Sequence, residues 1–134
     1  RHLKLPSSTA VIRALRKLKK ADPSAIEERM AGLIEKRNTT QPRGYPTLGC
    51  VFKNPEKDGK QKVSAGALID EAGLKGVRVG KARVSEVHAN FIINEGGATA
   101  KDVEILIGLV RENVKERFGV VLETEVHIIG EKNT

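Results

Sequence analysis

The sequence predicts an α+β fold: a mixed or antiparallel sheet with about three helices in a single domain. Three observations carry that expectation. A long stretch from Thr99 to Phe118 repeats apolar residues at helical spacing, and two shorter stretches do the same. Short β-branched runs lie among them, broken by glycines, and do not alternate strictly with the helices as a parallel α/β sheet would require. With 134 residues the chain fits one domain that can bury a core.

Residues 1–9 are polar and proline-interrupted, as in a tether, and the sequence starts mid-sentence at Arg1, as a fragment of a longer protein would. Val11, Ile12, Leu15 and Leu18 fall at helical spacing after Ser8 and Thr9 as caps, while the β-branched pair Val11-Ile12 also permits an edge strand. Asp22-Pro23 is a helix start, a cap followed by proline in the first turn. Ile26, Met30, Leu33 and Ile34 then make one apolar stripe to about residue 38, with the methionine as core filler.

Residues 39–47 connect to a stretch bracketed by Pro46 and Pro55, which holds the only cysteine and, just before it, the only tyrosine, Tyr45. There Cys50, Val51 and Phe52 read as a buried strand that ends in Lys53 and Asn54, an ammonium and an amide at a strand end. Pro55 cannot donate to a ladder and stops it. Gly49 would let a ligand or another chain approach the backbone beside the thiol.

Residues 56–62 are highly charged and read as an exposed loop. Ser64 caps a short helix over 65–72, with Ala65, Leu68, Ile69 and Ala72 inward and Gly73 ending it. Short β segments follow at 77–79, 82–84 and 91–94, the last closed by Glu95-Gly96-Gly97. Thr99 and Asp102 form a capping box for the long helix, and Gly119 stops it. A final strand over 121–129 would put Leu122, Thr124, Val126 and Ile128 on one face and Glu123, Glu125 and His127 on the other.

Composition narrows the function classes. A net charge of +7 and a pI near 9.7 fit an anionic partner. Aromatics are only 3%, without tryptophan, which weighs against base-stacking platforms. One cysteine forbids an internal disulfide, and no apolar run approaches the ~20 residues of a membrane span. No metal-ligand spacing is present. Taken singly, the polar candidates have bland readings: Cys50 as an inert buried thiol, Glu125 as a solvated carboxylate, His88 as structural, Lys75 as a turn lysine. A thiol triad of Cys50 with His88 or His127 is a further possibility.

Together, the residues match a known pattern. Gly49-Cys50-Val51-Phe52-Lys53-Asn54-Pro55, Ala67 to Gly76, Val84-Ser85-Glu86 with His88-Ala89-Asn90-Phe91-Ile92-Ile93-Asn94, and Leu122 to Gly130 stand in order at matching spacing. This set closely resembles the C-terminal, substrate-binding domain of the UDP-N-acetylenolpyruvoylglucosamine reductase (UDP-N-acetylmuramate dehydrogenase) family, in its shorter-loop form. The resemblance implies residues 22–134 as that domain and 1–21 as a tail linking to an absent FAD-binding domain, with 11–18 a strand. It implies a bacterial cytoplasmic flavoenzyme of peptidoglycan synthesis, using FAD and NADPH, with UDP-N-acetylglucosamine enolpyruvate as substrate and neither nucleic acid nor membrane as partner.

In that family reduced flavin delivers hydride to the enolpyruvyl group, and a serine, or sometimes a cysteine, protonates the neighbouring carbon. The resemblance puts this acid at Cys50, whose ordinary pKa of about 8.5 keeps it protonated at neutral pH. It puts the catalytic glutamate at Glu125 and substrate contacts at Gln41, Tyr45, Lys53, Asn54, Lys75 and His88. Donors fixed on the oxygens that gain charge could contribute about 3 kcal/mol each. His127 and Thr124 depart from the usual arginine and proline, and a catalytic arginine belongs to the absent domain, so the chain alone is expected not to turn over. A small basic module that binds RNA or another polyanion, with salt-dependent affinity, is the alternative.

Overall fold

The computed structural model describes residues 9–57 and 61–130. Residues 1–8 of the expected tether over 1–9, and the middle of the charged loop, 58–60, lie outside the described residues.

Local signals carry the helices. Asp22 caps α1 (Pro23–Thr40) by accepting from the Ala25 N–H. Ser64 caps α2 (Ala65–Glu71) in the same way through the Ala67 N–H. Thr99 and Asp102 close a reciprocal capping box on α3 (Ala100–Phe118), and Gly119 ends it in the left-handed conformation. That satisfies orphan donors at the start of α3 and an orphan carbonyl at its end.

The strands are short: β1 (Thr47–Cys50), β2 (Glu56–Lys57), β3 (Gln61–Lys62), β4 (Arg78–Val79), β5 (Ala82–Val84) and β6 (Phe91–Asn94). Four form an antiparallel sheet in the order β1-β6-β5-β4, while β2 and β3 pair as a separate hairpin. The expected loop over 56–62 is thus partly a ladder, because backbone pairing is indifferent to side-chain charge. α3 packs on β4, β5 and α2. Leu106, Ile107, Val110 and Val114 face inward from it, against Ile69, Val84, Ile92, Phe52 and Leu122. The fold is α+β, as expected.

Three expectations are corrected. Residues 9–22 form neither helix nor strand, and Ile12, Leu15 and Leu18 stand in solvent; a strand needs a ladder partner, and among the described residues none lies beside this segment. α1 buries none of its residues, so Met30 is not core filler and the stripe faces water. The final strand reduces to a bridge between Phe52 and Thr124, held by Lys53 N–H to Glu123 O (2.8 Å) and Glu125 N–H to Val51 O (2.8 Å). Its alternation still holds where it is held: Leu122 is buried, and Glu123 and Glu125 are exposed.

The β4–β5 turn is tied to α3 through a glycine. Gly80 has φ +54°, and a Cβ there would come within 2.6 Å of the Asp102 carboxylate. That carboxyl lies below its ordinary pKa, mainly through the Thr99 backbone N–H and less through that of Lys81. Gly80→Ala is expected to combine left-handed strain of about 1–2 kcal/mol with displacement of the capping carboxylate. A lowered melting temperature would show it, and an unchanged one would contradict the reading.

Candidate functional site

Cys50 is exposed, not buried, and the backbone explains why. The β1–β6 register shifts between Thr47 and Cys50, and Gly49 between them has φ +76°. Beyond its immediate chain neighbours, no atom of the described residues lies within 4 Å of a Cβ built on Gly49, so within the chain this glycine serves the bend. The bend turns the thiol outward while Val51 and Phe52 go into the core.

Because Phe52 pairs with Thr124, the outward face of the C-terminal segment runs beside β1. Cys50, Glu125 and His127 line one open groove with Leu48 and Val126. Desolvation, and secondarily the Glu125 charge, hold the thiol above its ordinary pKa. Both effects disfavour the thiolate and favour the protonated thiol. His127, not His88, is the histidine brought to the thiol.

A larger cleft of about 910 Å³ adjoins through Glu125 and is lined by Lys53, Asn54, Lys62, Arg111 and Glu123 among others. Asn54 is held at its mouth: its Oδ1 accepts the Ala65 N–H (3.0 Å), an otherwise orphan donor of α2. The oxygen is therefore spent internally, and Nδ2 is left as two donors for a ligand. Lys53 pairs with Glu123 across the bridge at 2.9 Å, both side chains being largely solvated, a contact that a ligand anion could displace. Lys62 and Arg111 were missed in sequence. The first sits in a charged run with no pattern of its own, and the second differs from other outward helix residues only by what the fold sets beside it.

The remaining expected site residues lie elsewhere. Lys75 pairs with Asp70 at 2.5 Å beyond α2. His88 Nδ1 accepts the Asn90 N–H (3.2 Å), and its ring meets Phe91 edge-on at 4.9 Å. Tyr45 is exposed, and Gln41 is half-buried at the end of α1. None of these four lines either cavity. Among the described residues no cluster of three His, Cys, Asp or Glu side chains could hold a metal ion.

The chain is similar to known proteins over most of its length. The UDP-N-acetylenolpyruvoylglucosamine reductase of Alkalilimnicola ehrlichii is 49% identical over 131 residues, 98% of this chain. A second such reductase, from Symbiobacterium thermophilum, is 51% identical over 92% of the chain. The chain spans 42% and 39% of the length of these two relatives. The crystal structure of UDP-N-acetylenolpyruvylglucosamine reductase from Thermus caldophilus superposes with a TM-score of 0.64 at 44% identity, covering 83% of this chain and 37% of that one. Residues 41–129, which contain both cavities' strands and α3, match the family described as UDP-N-acetylenolpyruvoylglucosamine reductase, C-terminal domain, and the chain belongs to that family.

Proposed function

We propose that this chain is the substrate-binding and proton-donating part of an enzyme that reduces UDP-N-acetylglucosamine enolpyruvate to UDP-N-acetylmuramate in the bacterial cytoplasm, for peptidoglycan synthesis. The observation that carries the reading is the meeting of Cys50 and Glu125 in one groove that opens into the cleft of Asn54. A protonated thiol beside a carboxylate suits delivery of one proton to carbon. Cys50 Sγ–H gives its proton to the substrate carbanion, and the resulting thiolate recovers a proton from solvent in the open groove. The Glu125 charge keeps that proton on sulfur until the carbon accepts it, making Glu125 the second catalytic residue. Asn54 Nδ2 donates to a substrate oxygen, and Lys53, Lys62 and Arg111 offset the diphosphate charge. Gln41, Tyr45, Lys75 and His88 supply further substrate contacts in the whole enzyme, Lys75 and His88 toward the nucleotide.

The described residues do not fit a flavin. All three helix N-termini are closed by their own caps, Asp22, Ser64 and Thr99, so none is free to cradle a dinucleotide diphosphate. FAD and NADPH are therefore assigned to the enzyme's other domain, residues 1–21 being the link to it and residues 22–134 the substrate domain. The uncovered stripe of α1, Ile26, Met30, Leu33 and Ile34, is assigned as a surface that this domain covers.

Titration of the chain with UDP-N-acetylglucosamine enolpyruvate tests the reading. Asn54→Asp keeps the acceptor for Ala65 and removes the outward donor; it is expected to weaken binding at least about tenfold, the worth of one hydrogen bond to a charged group. Cys50→Ala is expected to leave affinity nearly unchanged. Equal affinity of wild type and Asn54→Asp would remove Asn54 from the site.

A further inference from the structure

Asn90 is one of two buried polar or charged residues among those described, and its bonding is unusual for a side chain in a core. Its Oδ1 accepts the Phe52 N–H (2.9 Å) and its Nδ2 donates to the Phe52 carbonyl (2.9 Å). Its own carbonyl accepts the Val51 N–H at 2.9 Å. Three hydrogen bonds thus run from one residue to the two residues that follow Cys50.

The geometry follows from where β6 begins. Phe52 uses its flank on one side for the bridge to Thr124, leaving its N–H and carbonyl pointing toward β6. β6 starts only at Phe91, because the chain turns at His88, whose carbonyl accepts the Phe91 N–H at 3.0 Å. No backbone is left to pair with Phe52. A primary amide carries the same acceptor and donor as a peptide group, and here it stands in for one. Left unpaired at this depth, the Phe52 peptide would be heavily penalised.

We propose that Asn90 is the positioning residue of this site: its side chain extends the β6 ladder one rung and so fixes where Cys50 stands against Glu125. This rests on the proposed role of the Cys50–Glu125 groove. Cys50 itself pairs with Phe91 beyond the register shift at Gly49, and on its C-terminal side the hold falls to Asn90 and to the bridge with residues 123–125. Asn90 touches neither cavity and acts only through the strand.

Cys50 is the only cysteine, so iodoacetamide reports on it alone. Its alkylation rate against pH is the measurement, in this chain as wild type, Asn90→Ala and Glu125→Gln, each shown folded at the assay temperature. Asn90→Ala leaves room for water to satisfy Phe52 while the placement is lost. Its profile is expected to move to lower pH, raising the rate below the midpoint several-fold, since a fall of one unit raises the thiolate fraction about tenfold. A folded Asn90→Ala with the wild-type profile would overturn the proposal. Should that variant not fold, nuclear magnetic resonance of the wild type decides: ionising Cys50 is expected to shift the Asn90 side-chain amide signals, and a flat response would overturn it. A wild-type profile for Glu125→Gln would count against the groove reading alone, since loss of placement in Asn90→Ala also relieves desolvation, the larger cause of the raised thiol pKa.

Discussion

Replacing Cys50 with alanine is expected to lower turnover of the whole reductase by about 100- to 10,000-fold, the usual worth of a positioned general acid. Substrate affinity should change little, because the thiol is exposed. Partial desolvation and the Glu125 charge both raise its pKa, so the proton-bearing form persists through neutral pH and is lost only as the pH rises past the raised value. Wild-type turnover should therefore fall on the alkaline side. Cys50→Ser should retain much of the rate and lose that alkaline limb, since a hydroxyl does not ionise there. Steady-state kinetics with NADPH from pH 6 to 10 measure both effects. Turnover of Cys50→Ala within tenfold of wild type would remove the thiol from proton transfer.

What was legible in the sequence and what was not divides along one physical line. The three helices could be read because their caps and stops are local: Asp22 with Ala25, Ser64 with Ala67, Thr99 with Asp102. Strand segments such as Phe91–Asn94 were readable from β-branched runs between turn residues. Burial of a periodic stripe was not. α1 has the apolar spacing of a core helix but nothing over it, since periodicity reports a face and not its partner. The exposure of Cys50 turns on one positive φ at Gly49 and a register shift, which leave no mark on apolar patterning. The meeting of Cys50 with Glu125 depends on the bridge of Phe52 with Thr124, a pairing of distant segments that no local pattern encodes. Family resemblance supplied both residues, and the fold supplies the reason they stand together.

The same bridge makes Phe52 the expected weak point of the domain. Phe52 is 2% exposed and packs in the core with Leu106, Val110 and Leu122. Truncation to alanine removes a ring whose space the surrounding β-branched and leucine side chains can only partly refill, at a cost of about 3–5 kcal/mol. Against an ordinary domain stability of about 5–15 kcal/mol, that is a fifth or more of the total. Met30→Ala is the matched control: the side chain is 55% exposed on α1, and its loss should cost no more than about 0.5 kcal/mol in the isolated chain. Urea unfolding followed by circular dichroism measures both. A Phe52→Ala cost below about 1 kcal/mol would mean that the core is not assembled around this residue. A large Met30→Ala cost would mean that α1 is packed after all. The placement of the site is tied to the first result, because Phe52 joins the strand of Cys50, the side chain of Asn90 and the segment of Glu125 at one point. Partial unfolding there should speed alkylation of Cys50 before the helices melt.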